Sequence, residues 1–520
     1  MKDLYCAYYT ESDDITSYMA SKVDIKENDV ILEPSAGEGI FIDEILKRKV
    51  KTRIDALDIN EQAISVLQSK YADNPDVCVR LTDTLFDEEL DRYTTSALWL
   101  KNTDALLDEQ LDIFSYAGGH YDKVIGNPPY GAWQDYDKRD QLKKKYVGQY
   151  VKETYTLFLL RSISVLKSGG RLSFIIPDTF LFLNMHEKLR KILLTSTKIE
   201  EVLIFPSKFF PGVSFGYSNL SIITLEKCAR EDALNNVVRI IKGFKSSSEF
   251  ESVLRNDYPE HLKVYELNQY DVFTSEKSRF ILAEDDAATM IGTSEKKLGD
   301  IADIVTGFYS GNNKKFICAQ SAQVKGSKDY KVVKSEQIYD CMSLLGIDKT
   351  DEGYVPYIKS SSPYRYKRVG DEWYVRWDKP TVKFYNDDRK ARFQNSQFYF
   401  KTGVAIPMVK SSEIRATLME KRVFDQSIVG IFPKDEKDLY YVLALMNSDV
   451  INKLIHIINP TANNSSNYVK QLPYVEPSKS DRSYIIKIVG EIMSLDPEKD
   501  KEKVAELHQS INKRFEKIYA

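Results

Sequence analysis

From Val30 to about Lys227 the chain alternates short apolar runs with stretches of helical period. The runs are DVILEP, TRIDALDI, VCVRLTD, YDKVIGNPPY, RLSFIIP, IEEVLIF and SNLSIITLEK, and FIDEILKRK, EQAISVLQSKYA and TLFLLRSISVLK lie between several of them. A short apolar run bounded by turn residues predicts a strand, and apolar residues three and four apart predict a helix face. Their alternation predicts an α/β sheet with helices on both faces. Ligands of such sheets bind beyond the carboxyl ends of the strands, so candidate chemistry is sought just after each run. Residues from about 84 to 120 break the rhythm and read as an inserted helix or two. Beyond Lys227 the pattern turns irregular, with aromatic clusters and turn residues, and ends in a charged helix from about Ser480 to Ala520. The expected division is 1–230, 231–479 and 480–520, with no internal repeat and no low-complexity tract.

Two groups of residues stand at the predicted strand ends. DVILEP, closing on Glu33 and Pro34, runs into Ser35-Ala36-Gly37-Glu38-Gly39 and then a helix. Glycines in such a turn let the backbone approach a ligand closely. Only two are present, without the third that completes a dinucleotide fingerprint, so a plain tight turn is an equal reading of this motif alone. RIDAL then ends in Asp58, about twenty residues on, where a carboxylate accepts hydrogen bonds from ribose hydroxyls. VCVRLT ends in Asp83, placed to take the exocyclic amine of a purine. Three successive strands ending in a glycine turn or an acid point to a nucleoside-bearing cofactor.

The next strand, YDKVIG, ends in Asn127-Pro128-Pro129-Tyr130. Two prolines fix φ near −65° and remove two backbone donors, which makes a stiff turn. Stiffness matters where a reacting atom must be held in attack geometry. An exocyclic base amine is a poor nucleophile because its lone pair is delocalised into the ring. Acceptors at the Asn127 side-chain oxygen and the Pro128 carbonyl would localise that pair towards a methyl donor, and Tyr130 offers a flat face for the base.

In this order, EPSAGEG, the LDIN acid, the LTD acid and GNPPYG resemble the gamma class of DNA adenine-N6 methyltransferases. YYT at 8–10 resembles the amino-terminal cofactor motif of that class, although Glu11 stands where a proline is usual. ETYTLF at 153–158 resembles the motif whose Phe lines the methionine pocket, and FFPGVSFGYSNLSIITL at 209–225 the one whose Phe stacks on the extruded base. The resemblance covers most of residues 5–227 and implies a Rossmann-like S-adenosyl-L-methionine-dependent domain with a mixed seven-stranded sheet. It implies that Thr10, Glu33, Pro34, Ser35, Ala36, Gly37, Asp58, Ile59, Asp83, Asn127, Pro129 and Phe158 hold the cofactor. It implies catalytic roles for Asn127, Pro128, Pro129, Tyr130 and Phe210, with Phe205 a competing register for the last. A base inside a duplex cannot present its amine, so base flipping is implied as well. Direct methyl transfer requires no metal, and the sequence shows no His/Cys ligand cluster.

Composition adds less than its distribution does. At 520 residues the chain is about three times the usual domain length, and 42% apolar with 29% charged residues exclude wholesale disorder. Five scattered cysteines without a C-x-x-C pair argue against a disulfide framework, and no stretch approaches eighteen uncharged apolar residues. The expectation is a soluble cytoplasmic protein without a membrane partner, bacterial or phage-encoded and nucleoid-associated. The formal charge of −4 taken alone speaks against nucleic acid. Split at residue 230, however, the first part carries 29 basic and 35 acidic residues and the second 44 and 42. Within 355–424 there are 15 basic against 7 acidic residues with 13 aromatics, in runs such as PYRYKR and KFYNDDRKARF. Such a stretch reads as a DNA-facing surface for phosphate and guanine contacts, with a solvated sheet face as the alternative. Arg365, Lys367, Arg368, Arg389, Lys390 and Arg392 are the candidate DNA contacts. KLGDIADIVTGFYSGNNKKFI at 297–317 and VFDQSIVGIFP with the helix after it resemble the opening and closing parts of α+β target-recognition domains. WQDYDKRDQLKKKYVGQY, after the proline turn, is basic and reads either as a segment closing over DNA or as a solvated loop.

The leading expectation is a site-specific DNA adenine-N6 methyltransferase acting on double-stranded DNA, the modification half of a restriction system with a cognate endonuclease as partner. The glycine turn near residue 35 leaves no room ahead of it for a nuclease or for the helical domain of a type I modification subunit. The alternatives are an RNA adenine or protein glutamine N-methyltransferase, and a methylase fold that only binds nucleic acid.

Overall fold

The computed structural model describes residues 12–94, 119–131, 136–209, 219–282, 294–348, 351–409, 413–459 and 464–519. The amino-terminal unit opens with α1 (Asp13–Lys22), β1 (Val30–Glu33), α2 (Ile40–Lys47), β2 (Arg53–Asp58), α3 (Glu61–Lys70), β3 (Val77–Leu81) and α4 (Glu88–Tyr93). It continues with β4 (Tyr121–Gly126), α5 (Tyr136–Lys145), α6 (Thr154–Val165), β5 (Leu166–Pro177), α7 (Glu187–Ser196), β6 (Thr197–Pro206) and β7 (Asn219–Lys227). Every apolar run read as a strand is one. The local reason is visible in β1, β4 and β5, whose Ile31, Leu32, Val124, Ile125, Leu172 and Phe174 are fully buried. Strands covered on both faces are apolar throughout, as parallel strands under helices must be.

The sheet order is β3-β2-β1-β4-β5-β7-β6-β8-β9, where β8 is Val237–Lys242 and β9 is Lys263–Asn268. β1 runs parallel to β2 and β4, β4 runs parallel to β5, and β7 lies antiparallel between β5 and β6. The chain leaves β1 towards β2 and β3, then returns to lay β4 on the other side of β1. The carboxyl ends of β1 and β4 therefore flank the point where strand order reverses, the position at which open α/β sheets bind ligands.

Two expectations are corrected. The sheet has nine strands among the described residues, because β8 adds parallel to β6 and β9 antiparallel to β8. The boundary expected near residue 230 falls between Leu282 and Ala283, since β8, β9 and the segments around them pack with the first unit. The sequence hid this because β9 is a polar edge strand, KVYELN, with no fully buried position. Charged side chains on an edge blunt its tendency to pair with other chains, and they also erase its apolar signature.

The second unit, Ala283–Ala520, contains a four-stranded sheet and a five-stranded sheet. The first has order β10-β18-β15-β16, with β10 Ala302–Thr306, β15 Gly403–Pro407, β16 Thr417–Met419 and β18 Ile428–Pro433. The second has order β12-β11-β14-β13-β17, with β11 Ile317–Ala319, β12 Lys331–Val332, β13 Tyr354–Ile358, β14 Trp373–Arg376 and β17 Val423–Phe424. Its core is aromatic: Phe308 meets Tyr357, Trp377, Tyr385 and Tyr399 at ring-centroid distances of 5.9, 6.0, 5.0 and 6.2 Å. After α8 (Lys379–Asp387) come α9 (Leu439–Asn447), α10 (Asp449–Ile458), α11 (Lys479–Ser494) and α12 (Lys501–Ile518). The carboxy-terminal helical segment, expected as a separate part, packs within this unit through α11 on α9 and α12 on α11. No single helix among the described residues is long and apolar enough to cross a membrane.

Candidate cofactor and catalytic site

The glycine turn after β1 is held by its backbone geometry and by side chains from β2 and α3. Gly37 and Gly39 both have positive φ, 52° and 80°. A Cβ on Gly39 would stand 2.7 Å from Leu67 Cδ2 and 2.8 Å from Tyr71 Oη, so α3 approaches the turn as closely as only glycine permits. Ala36 N–H donates to the Leu57 carbonyl at 2.8 Å, which ties the turn to β2. Asp58, at the end of β2, accepts from Gly37 N–H and from Asn60 N–H, each at 2.8 Å. Its carboxylate is thereby aimed across the turn, with lone pairs remaining for a ligand. The neighbouring Ile59 is 38% exposed.

Glu33 is buried at the end of β1, and its Oε2 has no hydrogen-bond partner among the described residues. Burial, with Asp58 and Asp43 nearby, pushes its carboxyl well above the ordinary carboxylate range. A buried acceptor left without a partner is costly, and such groups mark places where a ligand or water completes the bonding. Pro34 is fixed through its carbonyl, which accepts from Thr84 Oγ1.

Asp83, beyond β3, accepts from Leu85 N–H at 3.1 Å. Its other oxygen lies 2.8 Å from Lys138 Nζ on α5. Nothing in the sequence spacing links these two residues. Phe158, on α6, is 7% exposed and packs in the core of the unit.

The Asn-Pro-Pro-Tyr turn follows β4 and is tied down at three points. Ser35 Oγ donates to the Asn127 carbonyl at 3.2 Å, which joins the two groups singled out in the sequence. Thr154 Oγ1, at the start of α6, donates to the Pro129 carbonyl at 2.6 Å. Tyr130 Oη donates to Asn127 Oδ1 at 2.6 Å. Pro128 is buried, and so is the whole Tyr130 side chain. The Asn127 side-chain oxygen is thus engaged by the phenol of the same turn.

His186 and Thr179, which carried no sequence signal, join Glu153 and Tyr155 of the ETYTLF stretch beside this turn. His186 Nε2 is 2.7 Å from Glu153 Oε2 and 3.3 Å from Tyr155 Oη, and Tyr155 Oη is 3.0 Å from Thr179 Oγ1. This buried network braces the first turn of α6, which carries Thr154. Asp178, just past β5, is buried, and its carboxyl is pushed up to about 6 by burial against the hydrogen bond from Asn219 Nδ2 at 3.1 Å.

Thr10 and Phe210 lie outside the described residues. Phe205, the competing register for the base-stacking ring, is fully buried and stacks on Phe209 at 5.7 Å and 17°. It belongs to the core. No group of three or more His, Cys, Asp or Glu among the described residues is arranged to hold a metal ion.

In the second unit the six basic candidates divide. Arg365 pairs with Glu413 at 2.8 Å, and Lys367 Nζ donates to the Met493 and Leu495 carbonyls. Arg368 donates to the Ser360 carbonyl at 2.9 Å, and burial lowers its guanidinium pKa. These three have partners inside the unit. Arg389, Lys390 and Arg392 are exposed. They flank Ala391 on a turn paired with the 306–311 segment: Arg392 N–H donates to the Tyr309 carbonyl at 2.8 Å, and Gln394 Nε2 donates to the Gly307 carbonyl at 2.9 Å.

Residues 44–210 match the family model described as Eco57I restriction-modification methylase. The Type II methyltransferase M.HindII of Haemophilus influenzae is 27% identical over 323 residues, covering 58% of this chain and 53% of that protein. The adenine-specific methyltransferase BrxX of Escherichia coli is 22% identical over 370 residues, covering 68% and 28%. The chain thus spans about half, or less, of the length of these curated relatives. In fold it is similar to a nuclease-deletion mutant of the Type ISP restriction-modification enzyme LlaGI in complex with a DNA substrate mimic, with a TM-score of 0.56 and 13% identity over 94% of this chain and 46% of that one. The resemblance read from the ordered motifs is supported by these relatives, and over residues 44–210 the chain is similar to methylases of the Eco57I restriction-modification family.

Proposed function

We propose that this protein transfers a methyl group from S-adenosyl-L-methionine to N6 of an adenine flipped out of duplex DNA, as the modification partner of a restriction endonuclease. The observation that carries this reading is the Ser35–Asn127 hydrogen bond, which seats the glycine turn and the Asn-Pro-Pro-Tyr turn side by side at the reversal point of the sheet. The relatives' names, Type II methyltransferase and adenine-specific methyltransferase, favour DNA adenine as the acceptor.

The residues present suit the cofactor. Gly37 leaves backbone exposed, Asp58 is oriented for ribose hydroxyls, and the unpartnered Glu33 Oε2 gives the turn an unmet acceptor. Asp83 fits the adenine amine, while Ile59, Pro129 and Phe158 supply apolar surface. When bound, S-adenosyl-L-methionine supplies an activated methyl group. Asn127 Oδ1 and the Pro128 carbonyl accept the two hydrogens of the base amine and localise its lone pair along the line of attack. The prolines hold both acceptors still, so little reorganisation accompanies the step. Tyr130 is the ring for the extruded base, which must uncover this buried side chain to gain the stacking of about 1–3 kcal/mol that offsets the cost of unstacking. Arg389, Lys390 and Arg392 in the second unit contact the phosphate backbone.

The test is incubation with tritiated cofactor and duplex DNA, followed by digestion to nucleosides. Label in N6-methyldeoxyadenosine is expected. Label that enters only RNA or protein would overturn the reading and favour a planar-amide or RNA substrate.

A further inference from the structure

We propose that α5 is a DNA-backbone-binding helix whose Lys138 is held by the cofactor-site acid Asp83 until cofactor binds, so that cofactor and DNA binding are coupled. The inference rests on the reading of Asp83 as part of the cofactor site. α5, YDKRDQLKKK, carries five basic residues against two acidic ones directly after the catalytic turn. Its far end is fixed to the first unit. Lys145 Nζ pairs with Asp91 at 2.9 Å, Tyr146 Oη donates to the Leu85 carbonyl at 3.0 Å, and Leu142 and Tyr146 are buried. The helix therefore cannot be treated as a loose loop. Lys143 and Lys144 remain exposed. Among the described residues Lys143 pairs with the exposed Asp140 three residues away, a contact of the sort that contributes little.

Lys138 lies at the other end, 2.8 Å from Asp83 Oδ2, with roughly a third of its side chain exposed. A lysine so placed and an incoming adenine amine compete for one carboxylate oxygen. Cofactor occupancy displaces the ammonium group, which then faces the same polyanion as Lys143 and Lys144. Each side chain that neutralises a phosphate steepens the salt dependence of DNA binding by about 0.9 in log K against log salt. Linkage requires the reverse effect as well: DNA that captures Lys138 frees Asp83 and tightens cofactor binding by the same factor.

DNA binding is measured by fluorescence anisotropy over a salt series, with and without the unreactive analogue sinefungin, alongside calorimetric titration of sinefungin alone. In the wild-type protein sinefungin should strengthen DNA binding and steepen the slope by about 0.9. Lys138→Gln should bind sinefungin about fivefold tighter or more and show one slope in both states. Lys144→Gln should lower the slope in both states while leaving sinefungin affinity unchanged. A wild-type slope indifferent to sinefungin overturns the coupling, and this comparison stands even if Lys138→Gln fails to fold. Unchanged sinefungin affinity in a folded Lys138→Gln overturns it equally. Failure of the wild-type protein to bind sinefungin at all would overturn the cofactor reading itself, an outcome distinct from the other two.

Discussion

The two units handle charge in opposite ways. In the first, acids gather at strand ends and are directed by backbone N–H groups: Asp58 by Gly37 and Asn60, Asp83 by Leu85. In the second, basic residues are dense along one stretch, yet half of the candidates there are consumed by the fold. A charged residue placed at a strand end by sheet topology has a position that the sequence announces. A charged residue in a rich stretch has its role decided by whichever carboxylate or carbonyl folds against it. Motif order is therefore a stronger signal than charge density.

The largest expected effect lies in the first unit. Asn127→Ala removes the group proposed to act on the reacting amine, and loss of one such electrostatic contact costs about 10²–10³ in kcat. Tritium transfer should fall by that factor while sinefungin affinity, measured by calorimetry, changes little. Turnover near the wild-type value would break the assignment of Asn127 and with it the contrast between strand-end and stretch residues.

The second test divides the basic candidates. Replacing Arg389, Lys390 and Arg392 together by Gln should lower the salt slope of DNA binding by about 2–3, with the thermal midpoint unchanged. Replacing Lys367 and Arg368 by Gln should instead lower the unfolding free energy by about 0.5–1.5 kcal/mol per lost bond, because partly buried carbonyls lose their donors. The opposite pattern, a slope change from the second set only, would reverse the assignment.

The smallest effect sharpens the comparison through pH. In the first unit Asp178 is raised from the ordinary 3.8 to about 6 by burial. The folded state then holds a proton that the unfolded state releases, so this stabilisation is complete below 3.8 and is lost as pH rises through about 6. In the second unit His508 hydrogen-bonds Tyr366 Oη at 2.8 Å, and burial, with Arg365 nearby, lowers it from 6.5 to about 4. Here the unfolded state takes the proton first, so stability is complete above 6.5 and is lost as pH falls through about 4. Asp178→Asn and His508→Gln should each remove one of these opposed slopes from the pH dependence of the urea midpoint. An unchanged pH profile in both variants would show that these groups do not distinguish the units.

Much of the first unit was legible before any coordinates. Most of the seven apolar runs are strands whose inner positions are buried, and a strand buried on both faces has to be apolar along its length; β3, with only Val77 buried, is the exception. Gly37, Asp58, Asp83 and Asn127 were found because each follows such a run directly. The extra strands were missed because β9 is a polar edge, and the boundary at 282–283 was missed with them. Phe205 was ambiguous in sequence because Phe210 lies only five positions on, and its burial against Phe209 and Phe250 places it in the core.

What the sequence determined by itself was the order of strand-end chemistry: a glycine turn, two acids and an Asn-Pro-Pro-Tyr turn, all set by local periodicity and turn residues. The tertiary structure decided which partners those residues meet. Ser35 on Asn127, Lys138 on Asp83 and Thr154 on Pro129 join positions 25 to 92 residues apart, and the arginine of PYRYKR that binds Ser360 is distinguished from those that face solvent only by folding. Hydrogen bonds and ion pairs act over about 3 Å of space, whatever the separation along the chain, so no local pattern records them.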